Sequence, residues 1–430
     1  MSIFSKTFRH GVHPKGNKEL TMDMSSEVFP APDLLYIPVQ QHIGSPATPI
    51  VAVGDRVIMG QKIAEKSSPF SANIHASVSG TVKDIVLKDT SSGGKARHIV
   101  IENDHLYEES RLAPLTDPTK EEIIDRVEEA GVVGMGGATF PLSIKLRPKT
   151  PVDTLIINGA ECEPYITCDY RLMLESPENI VRGIRILMKA LSVEKAVIGV
   201  ENNKKKGIEA LRQYAGDGIE VVSLRTKYPQ GGEKQLVYAL TGAIVPEGGL
   251  PADVGKVVVN ITTAYTVYEA VALGKTSYER MMTISGRAVE SPKNLIVKVG
   301  TPYQALADYV GAQDFAKVIS GGPMMGIAQV HLEVAVAKGT SSILFLREED
   351  ARSEEYGQCI NCARCASACP MGLMPMYIDA YSLAGEYEKA KSYGAMLCIE
   401  CGSCAYNCPA KRPLVQSIKL SKKIIKERNI

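Results

Sequence analysis

The spacing of apolar residues divides the 430-residue chain into regions of different periodicity. Between residues 31 and 105, apolar and polar positions alternate in short runs separated by glycine turns, which predicts strands and little helix. From 117 to 275, short apolar runs alternate with segments of helical period. Residues 281–330 return to short strands around one helix, and residues 374–395 predict two helices separated at Gly385.

In the first region, segments 53–65 and 75–82 resemble the two halves of a flattened barrel of the biotinyl/lipoyl type. The carrier proteins of that type present a modifiable lysine within a short signature. Lys66 lies nearby, but the residues around it lack that signature. We therefore predict a structural barrel-sandwich domain over residues 1–110 and not a swinging-arm carrier.

The second region predicts a Rossmann-like α/β domain over residues 111–278. Thr119 and Glu122 form a capping box that opens an amphipathic helix. Helical segments at 176–191 and 204–214 follow strand-like runs, and such a βαβ series predicts a mainly parallel sheet with ligands at the carboxyl ends of its strands. The predicted buried strands lie at 154–157, 196–200, 221–224 and 256–259.

The third region predicts a small β-grasp domain of the SLBB-like type over residues 279–330. Residues 331–350 are expected to connect it to a C-terminal α-helical ferredoxin-like module, so that the last domain covers 331–430. The fold class is thus α/β with small β modules. The β-grasp elements are strands at 282–285, 295–299 and 317–320 and a helix at 302–310.

Charge and hydropathy narrow the possible functions. The chain has 49 basic and 48 acidic residues, a net charge of +1, which gives no support for a nucleic-acid binder. A membrane-spanning helix needs about 18 consecutive apolar residues, and no run in the sequence is that long. The first 16 residues lack the apolar core of a secretory signal. We expect a soluble or peripheral protein that reaches any membrane through a partner.

Eight of the ten cysteines lie between residues 359 and 408 and form two CxxCxxCxxxCP motifs. In two-cluster ferredoxins, the first three cysteines of such a motif bind one cluster and the fourth binds the other. A disulfide framework suits a short secreted chain, and a zinc site is less consistent with this duplicated motif. We predict two 4Fe-4S clusters in a reducing compartment, one held by Cys359, Cys362, Cys365 and Cys408 and the other by Cys398, Cys401, Cys404 and Cys369.

Four loops rich in glycine or amide side chains occur beside predicted strands or helices, at residues 134–141, 158–164, 228–234 and 260–263. Each alone is consistent with a tight turn or a helix cap, since glycine and asparagine are common in both. Together, on one sheet and in the same chain as a ferredoxin module, they favour a bound cofactor.

These loops carry GMGGATFP, INGAECEP, PQGGEKQL and VVVNITTA, which resemble the NADH-binding flavoprotein subunit of respiratory complex I. The order of barrel, α/β domain, β-grasp and duplicated cysteine motifs is more similar to the RnfC component of the Rnf ion-translocating electron-transport complex. The resemblance implies that Phe140 stacks on the adenine of NADH and that Glu163 approaches the nicotinamide, as the catalytic-site carboxylate. It also implies non-covalent FMN contacts from Gly134, Gly136, Gly137, Lys145, Asn158, Glu233, Asn260 and Thr263.

The resemblance further implies an NADH dehydrogenase-type subunit in which electrons pass between NAD(H), FMN and two 4Fe-4S clusters. Its expected partners are the membrane and iron–sulfur subunits of an Rnf-type complex and, indirectly, ferredoxin. Its expected location is the cytoplasmic side of the cell membrane. Two alternatives stay open: a diaphorase-like subunit of a soluble hydrogenase or formate dehydrogenase, and a non-catalytic iron–sulfur relay.

Three further features carry weaker signals. Cys162 and Cys168 lack metal-ligand spacing and are interpreted as structural thiols, and the seven histidines suggest no metal site. Near the C-terminus, basic residues at helical spacing form either a solvated face or a docking face for an acidic partner or lipid surface. These basic residues are Lys419, Lys422, Lys423 and Lys426.

Overall fold

The computed structural model describes residues 5–351 and 355–430. Residues 1–4 of the first predicted domain and 352–354 of the last therefore lie outside the described residues. Within the described ranges, no helix is both long enough and apolar enough to cross a bilayer.

The predicted barrel is formed by two small antiparallel sheets that enclose an aliphatic core. One sheet has the strand order β2-β8-β7-β4 and the other β3-β5-β6. Ile37, Ile74 and Ile101 lie in the shared core. The Lys66 ammonium pairs with Glu128 on the next domain, as expected for a structural lysine. The strands of this region are β1 (Ser26–Val28), β2 (Leu34–Pro38), β3 (Thr48–Pro49), β4 (Arg56–Val57), β5 (Lys62–Glu65), β6 (Ile74–His75), β7 (Gly80–Asp89) and β8 (Lys95–Asn103).

Residues 5–20, within the predicted domain of 1–110, form no strand of the two barrel sheets. These residues are called the N-terminal strap. They lie against the α/β domain and end in a short 3-10 helix, Lys18–Leu20. Lys6 and Val12 form backbone bridges to Leu224 and Tyr228. The strap is polar and lacks strand alternation, so its partners could not be read from periodicity.

The α/β domain contains a four-stranded parallel sheet in the order β11-β10-β9-β12. Its strands are buried on both faces, because α1, α4, α5 and α7 pack on one face and α6 on the other. The predicted Thr119–Glu122 capping box is present at the start of α1. The elements are α1 (Lys120–Glu129), α2 (Leu142–Lys145), β9 (Thr154–Gly159), α3 (Cys168–Glu175), α4 (Pro177–Leu191), β10 (Lys195–Glu201), α5 (Lys205–Ala215), β11 (Ile219–Leu224), α6 (Glu233–Thr241), a 3-10 helix (Pro251–Val254), β12 (Lys256–Asn260) and α7 (Ile261–Ala272).

The third sheet is larger than the sequence predicts. It has six strands in the order β1-β14-β13-β17-β15-β16, with α8 packed against them. β17 lies beyond the predicted limit at 330: all five of its residues are buried, and it pairs with β13 and β15 in the middle of the sheet. The elements are β13 (Glu279–Ser285), β14 (Lys293–Lys298), α8 (Tyr303–Tyr309), β15 (Lys317–Ser320), β16 (Ile327–Gln329), β17 (Ser342–Leu346) and α9 (Glu348–Ala351).

The C-terminal module is helical, as the sequence predicts. Its aliphatic core joins α11, α12 and α14 through Ile378, Ala390, Ile418 and Ile425. Two short helices, one before α11 and one between α12 and α14, carry Cys365 and Cys404 of the two cysteine motifs. The elements are α10 (Arg364–Ala368), α11 (Pro375–Leu383), α12 (Tyr387–Ser392), a 3-10 helix (Ala395–Leu397), α13 (Ser403–Tyr406) and α14 (Leu414–Arg428).

Candidate functional site

The carboxyl ends of β9 and β12 lie side by side where the order of the parallel sheet reverses. The chain passes from β9 to β10 and β11 on one side and then returns to β12 on the other. In open α/β sheets, ligands bind in the crevice at such a reversal. Asn158 and Asn260, two of the predicted flavin contacts, are register partners at this point.

Asn260 is held in place by groups on both sides of its amide. Its Oδ1 accepts from the backbone N–H of Thr262 at 2.9 Å and caps α7, while its Nδ2 donates to Asp169 Oδ2 at 2.8 Å. Asp169 Oδ1 also accepts from the Thr262 hydroxyl at 2.6 Å. The buried Asp169 therefore orients Asn260, a role the sequence analysis missed because a single acid in the first turn of a helix is common.

The glycine loop at 134–140 closes on itself and lies against Asn260. Gly134 N–H donates to Phe140 O at 2.9 Å. A Cβ at Gly136 would lie 3.0 Å from Asn260 Cβ. Gly137 has φ +121° and would direct a Cβ into open space, so this exposed backbone has room for a ligand that approaches closely.

The peptide of Met135 within this loop is fixed at both ends. Its N–H donates to Thr263 Oγ1 at 2.8 Å, and its carbonyl accepts from Arg280 at 3.0 Å. Arg280 comes from β13 in the neighbouring sheet and also donates to Lys338 O at 2.7 Å. Arg280 is not predictable from the sequence, because a lone arginine in a strand gives no local signal of what it contacts.

The third loop, at 228–234, joins the same site. Asn158 Nδ2 donates to Gly231 O at 2.8 Å. Lys145 Nζ pairs with Glu233 Oε1 at 2.8 Å at the N-terminus of α6. Both side chains are about one-third exposed (31% and 41%), so the cation can reach a ligand at the open glycine backbone. The predicted contacts thus converge, and their amides, lysine and open backbone fit the ribityl and phosphate groups of a flavin nucleotide.

Phe140 lies at the edge of this site next to an aromatic ring from the barrel. Its ring centroid is 6.1 Å from that of Phe70, and the rings meet edge to face. Phe70 is half exposed. The pair places aromatic surface at the edge of the site, where the sequence predicts the adenine.

Glu163 is placed differently from the other predicted site residues. Its two carboxyl oxygens accept from the backbone N–H groups of Met324 and Met325, both at 3.0 Å. A Cβ at Gly322 would lie 2.2 Å from Glu163 Oε2. Burial raises the pKa of Glu163 to about 7. Both oxygens are therefore used to order the loop at 322–326, while a contact with nicotinamide stays a prediction.

A group of buried charges lies behind the loop at 158–164. Burial raises the pKa of Glu161 to about 7 and lowers that of Lys18, which lies 3.9 Å away. Lys204 donates to Ala160 O at 2.7 Å. Among the described residues, Glu161, Cys168 and Asp169 approach one another closely enough to hold a metal. The lysines beside them already supply positive charge, so we interpret the group as an internal ion network.

Four cysteines from the two motifs line one cavity in the helical module. They are Cys369, Cys398, Cys401 and Cys404. This is the set predicted for the second cluster, with one residue from the first motif and three from the second. Burial raises the pKa of the Cys398 thiol to about 11. A thiolate at this depth therefore needs adjacent positive charge, which iron would supply, so the cavity fits a cluster.

The other four motif cysteines differ in exposure, and Cys365 is as buried as the cavity cysteines. Cys365 and Cys408 lie close together and pack in one small cluster with Cys404 of the other set. Cys359 and Cys362 are exposed. The first ligand set stays a prediction. It is called the outer set here because two of its four cysteines are exposed, and the set that lines the cavity is called the inner set.

The basic face of α14 is partly used within the module. Lys422 Nζ donates to Cys398 O at 2.9 Å and pairs with Glu400. Lys419 lies 3.6 Å from the same carboxylate. Two of the four predicted lysines therefore support the segment that carries Cys398. These two side chains are not simply part of a solvated face.

The flavin-loop region and the inner cysteine cavity are in direct contact. Tyr228 opens the third loop, and its hydroxyl donates to Cys401 O at 2.7 Å. Tyr228, Val12, Ala368 and Cys401 form one buried apolar cluster. A flavin site and a cluster site with this contact define a class of electron-transfer flavoproteins with iron–sulfur centres.

Comparisons with known proteins agree with this class. Three family models match: the RnfC barrel sandwich hybrid domain at residues 6–106, the Nuo51 FMN-binding domain at 127–269 and a 4Fe-4S dicluster domain at 358–412. The matches lie inside the predicted domains 1–110, 111–278 and 331–430, whose limits remain predictions. The predictions of an FMN domain and of a 4Fe-4S dicluster module are confirmed.

Full-length relatives identify the family. The matching component of the proton-translocating ferredoxin:NAD(+) oxidoreductase complex of Clostridium ljungdahlii is 48% identical, over 97% of this chain and 93% of its own. The matching component of the Na(+)-translocating complex of Acetobacterium woodii is 44% identical, over 99% and 98%. The chain belongs to the RnfC family of ion-translocating oxidoreductase complex components, which confirms the predicted Rnf resemblance.

A solved structure gives an independent view of the fold. A crystal structure of an NAD+-reducing [NiFe]-hydrogenase in the air-oxidized state matches with a TM-score of 0.51 at 19% identity, over 72% of this chain and 61% of that chain. This likeness concerns the fold alone. The hydrogenase-type diaphorase alternative therefore gains no support beyond a shared architecture.

Proposed function

We propose that this protein transfers electrons between NAD(H), FMN and two 4Fe-4S clusters within a membrane-bound, ion-translocating ferredoxin:NAD oxidoreductase complex. The observation that carries the proposal is the contact between Tyr228, in a predicted flavin loop, and Cys401, in the inner cysteine cavity. A flavin and a cluster on either side of this contact would be adjacent. Bound FMN supplies the exchange between a two-electron hydride donor and one-electron carriers.

The chain's residues have separate tasks in this proposal. Lys145, Glu233 and the backbone at Gly134–Gly137 would hold the phosphate and ribityl end of FMN. Asn158, Asn260 and Thr263 would hold its ring through the carboxyl ends of the sheet. The tied positions of Asn158 and Asn260 support this assignment, because preorganised amides need no reordering when the flavin binds. Phe140 would stack on the adenine of the dinucleotide.

We assign the ligand sets as the motifs predict. Cys369, Cys398, Cys401 and Cys404 would hold the inner cluster, which receives electrons from the flavin. Cys359, Cys362, Cys365 and Cys408 would hold the outer cluster. The exposure of Cys359 and Cys362 supports a role for the outer cluster in exchange with a partner. That partner would be an iron–sulfur or membrane subunit of the complex, at the cytoplasmic side of the membrane, with ferredoxin reached indirectly.

Anaerobic reconstitution followed by an NADH titration tests the proposal. The chain is loaded with iron, sulfide and FMN, and visible spectra are recorded at each addition. We expect the flavin absorption and the broad cluster absorption to bleach together as NADH is added. A protein that assembles both clusters but retains no FMN would contradict the enzyme proposal and favour a non-catalytic relay.

A further inference from the structure

Tyr228 has an unusual position at the boundary between the flavin loops and the cysteine module. Its side chain is 1% exposed, and the hydroxyl donates to the carbonyl of Cys401, a predicted ligand of the inner cluster. The direction of this hydrogen bond is fixed, because a backbone carbonyl can only accept and the phenol hydroxyl donates to it.

The backbone of Tyr228 is held as firmly as its side chain. Tyr228 and Val12 of the N-terminal strap exchange two backbone hydrogen bonds, each 2.9 Å long. The preceding Gly11 N–H donates at 3.1 Å to the carbonyl of Ala368, the residue before the ligand Cys369. The strap thus connects the start of the loop at 228–234 to the segment that carries Cys369, which lines the same cavity as Cys401.

The far end of this loop is connected to the predicted flavin ring. Gly231 O accepts from Asn158 Nδ2, and Gly231 N–H donates to Cys162 Sγ at 3.3 Å. Between Tyr228 and Gly231 there are only two residues. A short run of covalent bonds with a hydrogen bond at each end therefore links Asn158, at the predicted flavin edge, to the carbonyl of Cys401.

We propose that Tyr228 is a positioning residue that fixes the distance and the hydrogen-bonded route between the flavin and the inner cluster. The inference rests on the proposed function. Two electrons and one proton arrive as the hydride of NADH. Bound FMN would pass the two electrons on one at a time, one to each oxidised cluster, and the proton would be released to solvent. Tyr228 takes no part in hydride transfer.

The hydroxyl also has a predictable effect on the inner cluster itself. A donor directed at the carbonyl of a ligand residue reduces the negative potential at the cluster and favours its reduced form, since hydrogen bonds around the ligands tune cluster potentials. Removing the hydroxyl should therefore lower the midpoint potential of the inner cluster only. A residue with a merely structural role would not produce this selective shift.

The test compares Tyr228→Phe with the wild-type holoprotein by stopped-flow absorption and by redox titration with EPR detection. We expect unchanged flavin bleaching by NADH, severalfold slower cluster reduction and a lower potential for one of the two clusters. The matched control is Tyr278→Phe. Tyr278 is also buried, but its hydroxyl donates to the Glu109 side chain at 2.6 Å and not to a cysteine residue. The control should behave as wild type.

A second substitution keeps the test decisive if Tyr228→Phe loses its cluster. A fluorinated tyrosine at position 228 retains the ring and makes the hydroxyl a stronger donor, so it should raise the same potential. If both variants keep wild-type rates and potentials, the inference is overturned. A wild-type protein whose flavin is not reduced by NADH would instead overturn the proposed function, whatever Tyr228 does.

Discussion

In the dicluster module, every predicted metal ligand lies between residues 359 and 408, whereas the predicted flavin contacts come from loops between residues 134 and 263. The cysteines bring strong iron ligands to a short stretch of chain, so their spacing alone largely defines the site. The flavin contacts are ordinary amides and glycines that become a site only when the sheet and its neighbours align them.

The difference extends to the residues behind each site. The flavin loops depend on Asp169 and Arg280, which lie in other elements and are not predicted to touch the cofactor. The inner cysteines are supported within their own module by Lys422 at Cys398 and from outside it by Tyr228 at Cys401. The flavin site should therefore be sensitive to remote substitutions, and the cluster sites should respond mainly to loss of their ligands.

The largest effect should come from removing a cluster ligand. Cys404→Ala should abolish the inner cluster and leave the outer cluster and FMN, because the two ligand sets are separate. We expect roughly half of the iron to be lost, since each cubane contains the same number of irons. Iron analysis and EPR after anaerobic reconstitution measure this. Cys162→Ala is the control and should keep all of its iron; a full iron content in Cys404→Ala would refute the ligand assignment.

The next effect tests the open backbone of the glycine loop. Gly137 has φ +121° and open space where a Cβ would lie. Gly137→Val should abolish FMN retention, because the branched side chain would occupy the space in which we expect the flavin. A matched control is Gly93→Val, which has φ +89° and also faces open space but lies in the β7–β8 hairpin. Both variants carry a left-handed backbone penalty of about 1–2 kcal/mol. Flavin fluorescence after gel filtration should show the loss only in Gly137→Val.

If Gly93→Val also lost its flavin, general destabilisation would explain the result. If Gly137→Val kept its flavin, the loop would be a turn and not a binding element. Either result would remove the main distinction between the two regions, because it would leave the flavin site without a defined cradle.

A smaller effect should come from a residue that only supports the flavin site. Asp169→Ala should weaken FMN binding by about 10- to 100-fold, because it removes a hydrogen bond to a charged group worth about 1.5–3 kcal/mol. Calorimetric titration of the apoflavoprotein with FMN measures the dissociation constant. Asp125→Ala, whose partner Arg147 lies on the surface, is the control. An unchanged dissociation constant would mean that FMN binding does not depend on the hydrogen bond from Asn260 to Asp169.

The smallest effect concerns the pH dependence of Glu163. Its folded-state pKa of about 7 exceeds its ordinary value of 4.5. The folded protein therefore binds more protons than the unfolded chain between those values, and this carboxyl's contribution to stability falls as pH rises through that window. Glu163→Gln, a permanent analogue of the protonated acid, should lack this component, which is at most about 3 kcal/mol.

Urea unfolding of the wild type and of Glu163→Gln between pH 5.5 and pH 8 measures this, in steps of about half a unit. The stability advantage of the wild type should shrink as pH rises, and Glu178→Gln, at an exposed ion pair, should show no such trend. If the difference in unfolding free energy between the two proteins stayed constant with pH, the Glu163 carboxyl would not be buried against the loop at 322–326. A large rise in the KM for NADH in this variant would support the dinucleotide contact predicted from the sequence.

The two regions also differ in how far the sequence predicts them. Both the cysteine sets and the βαβ order follow from local spacing, and the family comparisons confirm the FMN domain and the dicluster module. The contact of Glu163 with residues 324 and 325 depends on a loop 161 residues away, and no local pattern encodes it. β17 was assigned to a connection because its apolar run stands apart from the other strands of its sheet. Long-range pairings of this kind arise only from packing.

The N-terminal strap has a consequence for how the polypeptide is made. His10 contacts Ser367, 357 residues further along the chain, and Gly11 contacts Ala368. Since translation proceeds from the N-terminus, the strap leaves the ribosome long before its partners exist. It can fold onto β11 early, yet its last contacts must wait until the first cysteine motif has been synthesised. The strap is thus made before the segments that it contacts, and its contacts with residues 367 and 368 complete only after the first cysteine motif has been made.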